Sequence, residues 1–263
     1  MKFLFHLCCA PCAEFPLSQF LEALDLLPPE ADAPLLYFFN PNIHPFEEWK
    51  RRLASAETLA AIRGLPLIVE GGCYPERWRV FEKEALASSS IREMEVPTRS
   101  FIHAGKSLTS GSELESQAPT SHPTQSRCAF CYAWRLEEAA RAAQALGLSY
   151  FTSSLLYSPY QDRALIVPAG EKAGLRHGVT FLPFDWRYAY REGQELAKNH
   201  GLYRQKYCGC YLSQEEARKG QMEGRQGREQ IKQSQVPISP GKEQGRPQPK
   251  PSLPPAILSP GLS

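Results

Sequence analysis

The chain alternates short apolar runs with longer stretches in which apolar residues recur every three or four positions. Lys2–Leu7, Pro34–Phe39, Leu65–Val69, Leu148–Thr152 and Val179–Pro183 have the length and composition of buried strands. Between them, Glu14–Leu26, Pro45–Arg63, Tyr132–Leu146 and Arg191–His200 carry helical periodicity. Strand and helix taking turns predict an α/β fold, a parallel sheet with helices on both faces. In such sheets the functional loops gather at the carboxyl ends of the strands. Cys8-Cys9-Ala10-Pro11-Cys12 follows the first strand and Asn40-Pro41-Asn42-Ile43-His44-Pro45 the second, which assigns both to that edge.

Two segments break the pattern. Ser88–Ser126 is rich in Ser, Thr, Pro and Gly and reads as an insertion or long loop. The last fifty residues, Gln214–Ser263, hold 8 Pro, 8 Gln and 6 Gly with no aromatic and no cysteine. Such a composition buries too little apolar surface to offset chain entropy. The expected organisation is a folded α/β body over residues 1–213 and a disordered tail over 214–263, with at most transient helix in Gln214–Gln235.

No apolar run reaches the roughly 18 residues of a membrane span; Phe3–Ala10 is stopped by Pro11. The opening segment contains His6 and two cysteines and lacks a small-residue cleavage site, so it reads as a strand rather than a secretory signal. A soluble, cytoplasmic protein with no membrane partner is expected. The net charge is +2, and residues 1–213 hold 22 Lys+Arg against 23 Asp+Glu, leaving 8 against 5 for the tail. A strongly basic nucleic-acid footprint is excluded, and RNA contact would rest on a local patch.

Seven of the eight cysteines fall into three groups, Cys8-Cys9-x-x-Cys12, Cys128-x-x-Cys131 and Cys208-Gly209-Cys210, with Cys73 alone. In a cytoplasmic protein this grouping points to metal or redox chemistry rather than structural disulfides. Structural zinc usually draws two pairs from a compact stretch; here the pairs are far apart and the thiols outnumber its four ligands. Zinc stays open but leaves the surplus unexplained. An iron-sulfur cubane takes about four thiolates, and Cys8, Cys9, Cys128 and Cys131 in that role leave Cys12, Cys208 and Cys210 beside the site. Neighbouring residues on a regular strand face opposite ways, so Cys8 and Cys9 can share a cluster only where the strand has ended; Pro11 favours that turn. Cys208 and Cys210 can close a disulfide only in a tight ring, which the intervening glycine permits. Such a bond is easily reduced and suits a two-electron switch; two metal ligands or two unrelated thiols are the alternative.

These residues carry a family resemblance. His6-Leu7-Cys8-Cys9-Ala10-Pro11-Cys12, Phe39-Asn40-Pro41-Asn42-Ile43-His44-Pro45, Arg127-Cys128-Ala129-Phe130-Cys131-Tyr132 with Arg135-Leu136, Ser158-Pro159-Tyr160, and Leu202-Tyr203-Arg204-Gln205-Lys206-Tyr207-Cys208-Gly209-Cys210 stand in order over residues 3 to 213. The chain closely resembles the QueH type of epoxyqueuosine reductase. The resemblance implies a Rossmann-like fold of the adenine-nucleotide alpha-hydrolase kind. It also implies cobalamin-independent reduction of the epoxide of epoxyqueuosine, at the wobble position of tRNA, to the alkene of queuosine. In that family Cys8, Cys9, Cys128 and Cys131 correspond to ligands of a [4Fe-4S] cluster, Cys12 to a ligand of one additional iron, and Cys208 with Cys210 to a redox-active pair. An electron donor is implied and not identified. The polar insertion and the tail lie outside the resemblance.

Other residues have two readings each. His6 tunes the cluster or is a satisfied core histidine. Asn40 and Asn42, in the loop with His44, orient substrate hydroxyls or form the Asn-Pro turn. Asp185, Arg187, Tyr203 and Arg204 contact phosphate or base, or serve the surface and packing. Asp162 or Tyr207 supplies the proton as the epoxide opens. Two rival functions remain: a zinc-bound, non-catalytic RNA-binding module, and an ATP-dependent tRNA thiolation enzyme. The cysteine run stands where the latter carries a Ser-Gly-Gly-x-Asp-Ser pyrophosphate loop, which counts against it.

Overall fold

A computed structural model describes residues 2–24, 33–73 and 123–234. Five strands, β1 (Phe3–His6), β2 (Leu35–Phe38), β3 (Leu67–Val69), β4 (Tyr150–Ser153) and β5 (Thr180–Phe181), form one all-parallel sheet in the order β3-β2-β1-β4-β5. Among the described residues there are six α-helices: α1 (Ala10–Leu24), α2 (Phe46–Arg63), α3 (Pro123–Ala145), α4 (Arg163–His177), α5 (Tyr190–Asn199) and α6 (Tyr211–Ser234). The α/β class expected from the alternation is the one observed.

The central strands are buried on both faces, which is why they read as unbroken apolar runs rather than alternating ones. Leu4, Phe5, Leu36, Tyr37, Phe38 and Phe151 are all inaccessible to solvent. The right-handed rule for parallel crossovers predicts α1 and α2 on one face and α3 and α4 on the other. The packing agrees: α3 lies along α4, while α1 touches α2 and α5.

The chain switches direction across the sheet between β1 and β4, which pair directly with His6 opposite Ser153. Ligands in open α/β sheets bind in the crevice at such a point. The first cysteine group emerges there.

Helix α4 has no counterpart in the hydrophobic pattern, because Pro168, Gly170 and Gly174 interrupt it. Its ends are nonetheless marked. The Asp162 carboxylate accepts from the Ala164 N–H at 3.0 Å, and Gly178 closes the helix in the left-handed conformation. Gly170 is a packing requirement, since a Cβ there would lie 2.5 Å from the Phe181 ring.

The chain divides into a compact unit, Met1–Arg218, and a second, Lys219–Ser263. Helix α6 runs through residues where the composition predicted a tail. The rest of that expected tail, 235–263, and the polar stretch 88–126 as far as residue 122 lie outside the described residues.

Candidate metal and redox site

β1 ends at His6 and α1 begins at Ala10, so Cys8 and Cys9 occupy the turn between them and Cys12 the first turn of the helix. The turn that two adjacent cysteines need to face one centre is therefore present. The Sγ atoms of Cys8 and Cys9 are 3.9 Å apart, and those of Cys8, Cys9 and Cys12 all lie within 4.8 Å of one another. Ser154, just beyond β4, ties this turn to the neighbouring strand. Its Oγ accepts from the Cys8 N–H at 2.8 Å and donates to the Cys8 sulfur at 3.1 Å.

The trio is electrostatically asymmetric. Cys8 is held well below the ordinary thiol range, chiefly by the thiols of Cys12 and then Cys9 hydrogen-bonding to its sulfur, with Arg135 and Ser154 adding to the effect against burial. Cys12 is pushed well up by the same contacts, and Cys9 is pushed up by burial. Cys8 is the thiol of the group most favoured to ionise, beside a helix N-terminus that also favours the charged form. Gln205 donates from Nε2 to the Cys9 sulfur at 2.8 Å.

Cys128 and Cys131 stand three residues apart on α3, on one face of the helix. Burial raises both thiols. Cys131 lies within electrostatic reach of Cys128, Cys208 and Cys210, and Arg135 links it to Cys8. The Arg135 guanidinium is buried, approaches the Cys131 sulfur at 3.8 Å and donates to Asn40 Oδ1 at 2.5 Å. Burial opposes its charge, but Cys131, Cys8 and Cys208 outweigh that and hold the proton on. Arg127 stands in the same relation to Cys210 and Cys128. Two buried cations thus balance the thiol cluster, and the three groups separated in sequence share one edge of the fold.

Cys208 is exposed and accepts from Gln161 Nε2 at 3.6 Å, while Cys210 is buried with its sulfur 3.4 Å from Ser213 Oγ. The loop carrying them is fixed from below. Arg52, fully buried on α2, pairs through Nε with Glu48 at 2.8 Å and donates to the carbonyls of Tyr207 and Cys208 at 2.9 and 2.7 Å. The main-chain N–H of His44 donates to the Gly209 carbonyl at 2.8 Å. Gly209 has φ +141°, and a Cβ there would meet Asn42 Nδ2 at 3.0 Å and Arg52 Nη1 at 3.2 Å. Only glycine suits that combination.

The remaining residues singled out from the sequence are placed as follows. His6 is enclosed in the core, with Nε2 donating to the Phe39 carbonyl at 3.1 Å and Nδ1 accepting from Ser153 Oγ at 2.7 Å; burial lowers it to about 3, so it is neutral. Asn40 donates to the Leu7 carbonyl at 2.8 Å, joining the loop after β2 to the cysteine-bearing segment after β1. Asn42 Oδ1 and Gln205 Oε1 are buried acceptors with no partner among the described residues. Tyr203 donates to Glu48 at 2.8 Å, and Arg204 is exposed. Tyr207 donates to the His44 carbonyl at 2.5 Å and is pushed up to about 12, mainly by burial. Asp185 holds Arg187 at 2.6 Å, Asp162 caps α4, and Cys73 donates to the Ile43 carbonyl at 2.9 Å.

Glu48, Arg52, Ser154 and Gln161 carry no signal in the sequence pattern, and Gln205 stands only as one member of a longer run. Glu48 and Arg52 have the i,i+4 spacing of an ordinary solvated helix pair, and only their burial reveals the task. Among the described residues no helix is long and apolar enough to cross a membrane.

Comparison with known proteins identifies the family. The family model described as epoxyqueuosine reductase QueH matches residues 3–93 and 106–216. A relative from Dehalococcoides mccartyi, named epoxyqueuosine reductase QueH, is 29% identical over 215 residues, covering 82% of this chain and 93% of the relative. Relatives of the same name from Staphylococcus epidermidis and Thermotoga maritima are each 29% identical, over 81% and 80% of this chain and 76% and 88% of their own length. The match runs through all three cysteine groups and both halves of the sheet, and the chain belongs to the epoxyqueuosine reductase QueH family.

Proposed function

We propose that this chain reduces the epoxide of epoxyqueuosine in tRNA to the alkene of queuosine, without cobalamin and in the cytoplasm. The observation that carries the reading is the Cys8, Cys9 and Cys12 trio at the switch point of the sheet, with Arg135 in electrostatic reach of Cys8, Cys131 and Cys208, in a chain matched by the family model across all three cysteine groups.

The thiols fit a metal group. Three sulfurs lie within 4.8 Å of one another, one of them held well below the ordinary thiol range by its neighbours, with buried arginines to offset the added negative charge. In this reading Cys8, Cys9, Cys128 and Cys131 hold a [4Fe-4S] cluster and Cys12 holds one additional iron. When bound, the cluster supplies Lewis acidity toward oxygen and a path for electrons.

The chain's own residues supply the rest. Conversion of an epoxide to an alkene takes two electrons and two protons and releases the oxygen as water. Cys208 and Cys210 provide both electrons and both protons as their thiols become a disulfide, which balances the reaction; an external electron donor restores the thiols. Gln161 orients the exposed Cys208 sulfur, and Arg52 and Gly209 set the loop. The unpartnered Asn42 Oδ1 is available to a substrate hydroxyl, with Asn40 fixing its loop, and Tyr203 and Arg204 stand on the segment leading to the pair.

The test is anaerobic turnover of tRNA carrying epoxyqueuosine, with metal and sulfide measured on the same sample. About four iron and four sulfide per chain, with one further iron, are expected. Cys128→Ala loses most of the metal, whereas Cys208→Ser and Cys210→Ser keep it and lose turnover. Zinc without sulfide, or full activity of both serine variants, overturns the reading.

A further inference from the structure

Three side chains border the thiol site without belonging to it. Tyr160 is 81% exposed, directly precedes the Gln161 that contacts Cys208, and meets Tyr190 edge to face with ring centroids 5.7 Å apart. Tyr190 is half-buried and lies within electrostatic reach of Cys12, Cys9 and Arg204. Its backbone is anchored, since the hydroxyl of the fully buried Tyr157 donates to its carbonyl at 2.8 Å. Arg204 is exposed, rests on Gln194 through Nε at 3.3 Å, and directly precedes the Gln205 that donates to Cys9. Exposed Lys206 follows Gln205.

A ring exposed to this degree contributes little to the core, yet Tyr160 is held on a rigid base one residue from a site contact. An exposed aromatic face, with a guanidinium in electrostatic reach of the ring that braces it, matches the chemistry of an unpaired nucleotide: the base stacks on the ring and the phosphate meets the cation. A neutral body also needs local contacts of this kind to hold RNA.

We infer that Tyr160, braced by Tyr190, and Arg204 form a stacking rim for an unpaired nucleotide adjacent in the RNA to the one that carries the epoxide. Tyr160 takes the base and Arg204 the phosphate, so that the modified nucleotide is delivered toward Cys208. This rests on the function proposed above and adds the part of the substrate that the site grips outside the reacting group.

The experiment compares two substrates, an anticodon stem-loop RNA carrying epoxyqueuosine and the free epoxyqueuosine nucleoside, with metal-loaded full-length protein. Tyr160→Ala raises KM for the stem-loop about tenfold with kcat held within about twofold, and Tyr160→Phe and Tyr160→Trp restore KM. Arg204→Gln lowers the slope of log affinity against log salt by about 0.7, the value for one single-strand phosphate contact. Leu175→Ser, an 86% exposed position on α4, serves as the surface control and leaves KM unchanged. The rim is overturned if Tyr160→Ala leaves stem-loop KM unchanged, if it raises KM equally for the free nucleoside, or if Leu175→Ser has the same effect. A wild type that reduces neither substrate overturns the proposed function itself, and the rim with it.

Discussion

Arg52 donates to the main-chain carbonyl of Cys208 at 2.7 Å from a position with no access to solvent. A buried cation on α2 thus holds the backbone of an exposed thiol contributed from more than 150 residues further along the chain. Its charge is balanced by Glu48, equally buried.

Removing Arg52 leaves the buried Glu48 carboxylate with only Arg51 and Tyr203 among the described residues, both on its other oxygen, to offset its charge. Arg52→Met is expected to destabilise the chain by about 3–5 kcal/mol, whereas the double variant Glu48→Gln/Arg52→Met costs less than that single change. Urea denaturation monitored by tryptophan fluorescence checks the order. Alkylation of Cys208 by iodoacetamide should also accelerate in Arg52→Met under native conditions, because its loop has lost two hydrogen bonds.

Gly209→Ala places a methyl group against Asn42 and Arg52 in a backbone conformation that side chains avoid. A stability loss of about 1–3 kcal/mol is expected, together with reduced turnover at unchanged metal content. Thermal melting and metal analysis on one preparation separate the two effects.

The sheet, and the edge on which the site sits, were legible because strands buried on both faces leave continuous apolar runs and because cysteines are scarce enough for grouping to stand out. Helix α4 was not legible, since Pro168 and two glycines erase its periodicity while tertiary packing against α3 and β5 stabilises it. Arg52 and Glu48 were hidden for a different reason. A charged pair at helical spacing has the same pattern whether it faces water or a buried loop, and burial depends on residues 203–209, which no local window contains.

Cys8 reactivity should follow the order of its contacts. In metal-free protein, Cys12→Ala raises the Cys8 thiol further than Ser154→Ala does, because Cys12 makes the largest contribution and Ser154 the smallest of those that lower it. The pH dependence of Cys8 alkylation, followed by mass spectrometry of the labelled peptide, reads both. Equal effects, or a larger one for Ser154→Ala, would contradict the assignment.

His6 links stability to pH with a definite sign. Its imidazole stays neutral in the fold down to about pH 3, whereas in the unfolded chain it takes a proton near 6.5. The unfolded state therefore binds more protons between these values, and stability falls as pH falls through that window. The contribution lost between pH 7 and pH 5 is about 2 kcal/mol. Comparing the pH slopes of wild type and His6→Gln isolates it from the carboxylates common to both, and the wild type should have the steeper decline.

Truncation after Arg218 removes the second compact unit and leaves Arg127 its partner Glu216. The shortened chain is expected to keep its cooperative melt and its metal content. A broad, non-cooperative transition by calorimetry would show that the first unit requires the second.

The bond between the Cys8 N–H and Ser154 Oγ spans 146 positions, and the one between Gln205 and Cys9 spans 196. During biosynthesis the amino-terminal trio is therefore made long before its framework exists. A nascent chain presents Cys8, Cys9 and Cys12 with neither Ser154 nor Gln205 to orient them, and its final contacts form only after residue 210 has left the ribosome. Under the proposed function, metal loading is then a late event in the life of the polypeptide, and its yield reports completion of the whole first unit rather than of any one segment.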